Sequence, residues 1–165
     1  MAVEAPPRAG VLRMPESTNA QYTGAPLAAH FLTFVGITTI GPGLIHCFLP
    51  DGGAGVIAGM DLSGNGAAVI GVFAWAGATQ IVWGVSLLVA SLRYRSLVPS
   101  LLALVACERA LIALNLWLLK APANGHHPPE AYATLISLPL LLGALWLSLR
   151  GRSSSVGRPR RERPR

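Results

Sequence analysis

Two adjacent ionisable residues, Glu108 and Arg109, stand in the middle of an apolar stretch running from residue 97 to residue 119. Neighbours on a helix point about 100° apart, so the pair cannot simply neutralise itself, and each side chain needs a partner on another element. Gln80, Thr38 and Thr39 lie at matching depth in two other apolar stretches. Asn115 and His46 sit roughly 10 Å further toward one surface. These seven residues form an expected polar network, with Thr38, Thr39, Gln80, Glu108 and Arg109 at its centre and His46 and Asn115 continuing it outward. Two chemistries are open to it. In one, Glu108 and Arg109 bond to Gln80 and the threonine hydroxyls and hold helices in register. In the other, they line a cavity that carries protons or holds a polar ligand, although an acid beside a permanent cation makes a poor proton carrier.

Imidazole and thiolate suit zinc or copper, and His46, Cys47, Asp51, Asp61, His126 and His127 could supply ligands. Their spacing matches no metal motif, and no metal site is expected. A haem bridged by His30 and His46 is disfavoured, because about 24 Å separates them along one helix. The chain contains no phosphate-binding glycine loop, nucleophile elbow or metalloprotease helix, so neither catalysis nor a cofactor is expected.

The elements that position these residues follow from composition. The chain has 165 residues and a mass of 17.3 kDa, with 52% hydrophobic residues, 12% charged residues and a mean hydropathy of +0.51. A water-facing domain carries about twice that share of charge, roughly 25%. Two cysteines are too few for a disulfide-built scaffold. A bilayer core of about 30 Å takes roughly 20 apolar residues in a helix, and four stretches reach that length, at about 27–49, 66–92, 97–119 and 129–149. The third has no polar face, as a soluble amphipathic helix would. The expected fold is therefore all-α, a four-span transmembrane helical bundle. The first stretch is too long for a cleaved signal core.

Short loops rich in Lys and Arg stay in the cytoplasm. Of the 13 Lys and Arg residues, only Arg109, inside the third span, and Lys120 lie away from one side. Both termini are thus expected to be cytoplasmic. The segment 1–26 is expected to be disordered, as is the tail 150–165. Seven arginines in that tail place anionic lipids, at about 1 kcal/mol per basic residue near the surface, above nucleic acid as the partner of the net charge of +6. A homodimer or a membrane-protein partner is also expected. Small residues allow close helix approach in lipid, and span two offers Ala67/Gly71, Ala74/Ala78 and the row Ala76, Gln80, Gly84. Span one offers Gly36, Gly41 and Gly43 around Pro42.

Pro50 at the end of span one, the loop Val56-Ile57-Ala58-Gly59-Met60-Asp61-Leu62 and the segment Gly77-Ala78-Thr79-Gln80-Ile81-Val82-Trp83-Gly84-Val85-Ser86-Leu87-Leu88 resemble the short bacterial four-helix membrane proteins called DoxX-like. The resemblance covers residues 30–150. It implies a membrane-embedded accessory or redox-linked component without assigned catalysis. An acid often stands in such families where this chain has Gln80. Small multidrug exporters also have four spans, but their key glutamate lies in the first helix, and span one here has no acid. The leading expectation is a structural or accessory membrane component. A small transporter or ligand-binding protein using Glu108 and Gln80 is the alternative, followed by a quinone-linked redox partner.

Overall fold

Proline opens three of the four long helices, where its missing amide costs no hydrogen bond. Pro26 starts α1 (Pro26–Phe48), Pro99 sits in the first turn of α3 (Val98–Leu114), and Pro129 starts α4 (Pro129–Leu149). Between α1 and α3 runs α2 (Gly66–Arg93). The computed structural model describes residues 14–122, 125 and 127–151. All four long helices, with α3 counted together with its flanking turns, are long and apolar enough to cross a membrane, and the described residues contain no strand. The third span ends in a π turn, Asn115–Leu119, rather than as a regular α-helix.

α1 and α2 form an antiparallel pair joined through glycine. Gly36 and Gly43 are two turns apart on α1, and they face Gly84 and Gly77, two turns apart on α2. A methyl group on Gly84 would stand 2.6 Å from Ile40 Cγ1 and 2.8 Å from the Gly36 carbonyl oxygen. One on Gly77 would stand 2.7 Å from both the Gly43 oxygen and the Cys47 nitrogen. Such separations leave room for a hydrogen only, and they let carbonyl oxygens approach Cα–H groups across the pair. Near the other end of the contact the Thr33 hydroxyl donates to Ser91 Oγ at 2.9 Å. Of the small-residue rows read from the sequence, Gly36, Gly43 and Gly84 serve this contact. Gly41 and Gly71 have no described neighbour within 4 Å of where a Cβ would stand, and Gly77 was not in those rows.

The starts of α1 and α3 and the ends of α2 and α4 gather at one end of the bundle. There Ala28, Leu32, Leu87, Leu102, Val105 and Leu141 belong to a single buried cluster. Residues 14–25, expected to be disordered, instead clip the α2–α3 turn. Ser17 Oγ and the Thr18 amide both donate to the Arg93 carbonyl, and Asn19 Nδ2 donates to that of Leu92 at 2.7 Å. Arg93 Nη2 and the Tyr94 hydroxyl both donate to the Pro15 carbonyl. These short polar side chains satisfy carbonyls that the end of α2 leaves open, which a reading by composition alone does not foresee. The remaining parts of the two segments expected to be disordered, 1–13 and 152–165, lie outside the described residues.

At the opposite end, the loop after α1 folds around Asp51. Its carboxylate accepts from the amides of Gly53, Gly55 and Val56 at 2.8–3.0 Å, and Gly52 and Gly53 take positive φ angles of 62° and 78° to turn those amides inward. The bonds hold the carboxyl below its ordinary value of 3.8.

Two predictions follow from these contacts. Gly84→Ala should destabilise the protein by about 1–3 kcal/mol, the usual cost of overpacking, whereas Gly71→Ala should be neutral; unfolding in mixed micelles followed by circular dichroism measures both. Because folding lowers the Asp51 pKa, its contribution to loop order is complete above 3.8 and fades as pH falls through the folded value. Hydrogen exchange at the Gly55 and Val56 amides should therefore accelerate in acid beyond its intrinsic pH dependence, and Asp51→Asn should show the faster exchange already at neutral pH.

Candidate functional site

Beyond the buried cluster the helices leave space between them. One lobe, of about 500 Å³, lies among α1, α3 and α4, and its wall includes Phe34, Thr38, Thr39, Gln80, Arg109 and Glu130. A second, of about 460 Å³, continues toward the loop end past Ile45, His46, Phe73 and Leu116. Pro42, Gln80 and Glu130 line both, so the lobes meet at a waist made by these three residues. The glycine contact sets this geometry. Gln80 lies one turn from both Gly77 and Gly84, and its Cβ would be 3.1 Å from a methyl on Gly43, which carries the amide to the edge of the cleft.

Arg109 finds its partner on α4. Its guanidinium forms an ion pair with Glu130, whose carboxylate sits in the first turn of that helix, where the dipole favours a negative charge. The Arg109 side chain is 17% exposed and that of Glu130 is 45% exposed, so the pair is sheltered on one side and open to the cleft on the other. Trp117 reinforces the same junction, donating its indole N–H to the Ala131 carbonyl at 3.2 Å and stacking on His127 with ring centres 4.0 Å apart.

The hydroxyls at the cleft have already given up their hydrogens. Thr38 Oγ1 donates to the carbonyls of Phe34 and Val35, Thr39 Oγ1 to that of Val35 at 2.8 Å, and Ser137 Oγ to that of Thr134. Each therefore presents only lone pairs to the space. Gln80 Oε1 is buried and has no hydrogen-bond partner among the described residues. His46 Nδ1 meets the Gly52 carbonyl at 2.7 Å. A carbonyl only accepts, so Nδ1 carries the hydrogen and a neutral ring keeps a lone pair on Nε2.

Four of the seven residues named from sequence, Thr38, Thr39, Gln80 and Arg109, are thus brought to one lobe, and His46 joins Gln80 at the other. The direct bonds expected between the charged pair and Gln80 or the threonines are not formed, because the threonines bond to their own helix and Arg109 to Glu130. Glu108 faces away, into a groove between α2 and α3. Asn115 donates to the Leu111 carbonyl at the start of the π turn and lines neither lobe. Glu130 is not among the seven residues named from sequence. The signal for it was available: of the five acidic residues in the described part of the chain, Glu108 and Glu130 are the two that fall within long helices.

Among the described residues, no three His, Cys, Asp or Glu side chains come together as metal ligands would. No family model, curated protein or solved structure matches the chain.

Glu130→Gln removes the acid paired with Arg109. Its cost should fall between the exposed and fully buried cases, about 1–2 kcal/mol, read as a lower denaturant midpoint in mixed micelles. Exchanging the two residues, Arg109→Glu with Glu130→Arg, should recover part of the loss.

Proposed function

We propose that this chain is a multi-pass protein of a bacterial inner membrane that binds the polar head of an amphipathic molecule in the two-lobed cleft and catalyses no reaction. Several features support the membrane placement. Arg93, Arg95 and Arg150 cluster at the end where the described N-terminal segment and the end of α4 lie, while Lys120 is the basic residue of the loop end among the described residues. Positive residues stay inside, and this supports cytoplasmic termini. The quoted resemblance to DoxX-like proteins agrees with the number of spans.

The observation that carries the ligand reading is the buried Gln80 Oε1 at the waist, which has no hydrogen-bond partner among the described residues. Around it the Thr38 and Thr39 oxygens and the Glu130 carboxylate also accept, while the donors are the Gln80 amide nitrogen and Arg109, which is held by Glu130. A buried acceptor without a donor costs about 1–3 kcal/mol, so the cleft favours a head group that supplies hydrogens. A hydroxyl does this and also accepts from Arg109. The lobe wall of Phe31, Phe34, Ile136 and Leu140 suits an alkyl or isoprenoid chain. Long-chain alcohols, phenols and quinols share these features.

A structural or accessory role is the second reading. It is favoured by the Arg109–Glu130 pair, which ties α3 to α4 as a packing device would.

A photoactivatable long-chain alcohol, applied to the protein in liposomes, separates the two. Ligand binding predicts saturable labelling of the α1 and α4 residues of the lobe, at least tenfold weaker in a Gln80→Leu variant of unchanged helicity. Unsaturable labelling spread over the lipid-facing surface, equal in the variant, would leave the structural role.

A further inference from the structure

Glu108 is the polar group that the cleft does not explain. It lies on the other side of α3, in an open groove of about 750 Å³ between α2 and α3 that is lined by Trp75, Ala78, Thr79, Trp83, Ser86 and Leu104. Its Oε2 is buried and has no hydrogen-bond partner among the described residues. The two hydroxyls of the groove cannot help, since Thr79 donates to the Trp75 carbonyl and Ser86 to that of Val82. A carboxyl group at mid-depth in hydrocarbon is costly, about 2.5–3.5 kcal/mol even on permissive scales, and acyl chains offer it no donor. The same groove holds a donor without an acceptor. Trp75 is 73% exposed, and its indole N–H makes no hydrogen bond among the described residues.

We propose that a second copy of this chain closes the groove, related by a two-fold axis along the membrane normal, with the Trp75 indole N–H of each copy donating to the Glu108 carboxyl group of the other. A two-fold along the normal keeps every residue at its own depth, so donor and acceptor must lie at similar levels. They do: Glu108 is at the middle of the third span, and Trp75 is about 7 Å along α2 from that helix's middle, within the reach of an indole. Each copy carries one donor and one acceptor on the same face. An isologous contact therefore pairs the indole of each copy with a carboxyl oxygen of the other. Ala78 lies one turn from Trp75 and keeps the groove floor shallow, which allows close approach of a neighbouring helix. This face is distinct from the ligand cleft, and the proposal holds whether or not the cleft is occupied.

The test is the monomer–dimer equilibrium of the full chain in liposomes, measured by single-molecule photobleaching over a range of protein-to-lipid ratios. Wild type should dimerise. Trp75→Phe keeps the ring and removes the donor, Glu108→Leu removes the acceptor, and each should weaken the dimer about tenfold, as two modest interhelical bonds would. Glu108→Gln keeps an acceptor oxygen and should retain most of the dimer. The double variant Trp75→Phe/Glu108→Leu should be no weaker than either single one, because both remove the same bond. Should Glu108→Leu fail to fold, Trp75→Phe alone decides. A monomeric wild type at all ratios, single losses that add in the double variant, or an unchanged Trp75→Phe dimer would overturn the proposal.

Discussion

Where Gly36 meets Gly84 and Gly43 meets Gly77, the backbones of α1 and α2 come so close that a methyl group on Gly77 or Gly84 would overlap the facing helix. Hydrocarbon gives apolar helices no reason to leave it for one another, so association in a bilayer rests on van der Waals contact and backbone polarity at short range. Glycine supplies both by removing the Cβ. The rest of the arrangement depends on this contact. It fixes the register of α2 against α1, places Gln80 beside Pro42 at the waist of the cleft and leaves Trp75, Thr79, Val82 and Ser86 on the outer face. α3 and α4, by contrast, lean on one another through an ion pair, an indole bond and an aromatic stack at the loop end. The two hairpins join through the buried cluster at the basic end and leave space elsewhere.

The adjacent charges in α3 illustrate how helix geometry divides chemistry. Consecutive positions differ by about 100°, so Arg109 enters the cleft while Glu108 faces the α2–α3 groove. One charged residue is thus settled within the chain, by Glu130, and the other is not. That difference puts the two side chains on separate faces of α3 rather than in one network.

Most of the fold is legible in the sequence, because a bilayer solvent imposes a length and a composition on every span. The boundaries at Phe48, Gly66, Arg93 and Pro129 lie within a residue or so of where proline, glycine and arginine place them. Depth is legible too: Thr38, Thr39, Gln80 and Arg109, set at one height by counting residues, line one lobe. Direction around each helix is less so. A span without a polar face carries almost no moment to orient it, so Glu108 and Asn115 could be assigned a height but not a face. Glu130 escaped for a related reason: counting residues put it at the end of a span, whereas its side chain and that of Arg109 together bridge the difference in depth. The N-terminal clip escaped because a polar segment reads as solvated until the carbonyls it covers are known.

The glycine contact is open to direct measurement by solid-state NMR on the protein in lipid bilayers, using a transfer between the Gly43 carbonyl carbon and the Gly77 Cα. This account predicts a strong cross-peak, corresponding to the close backbone approach of about 4–5 Å between carbons that a Cα–H···O contact requires. Absence of that cross-peak, in a sample whose intrahelical carbonyl–Cα transfers over the same distance are clearly seen, would contradict it and remove the basis for the cleft.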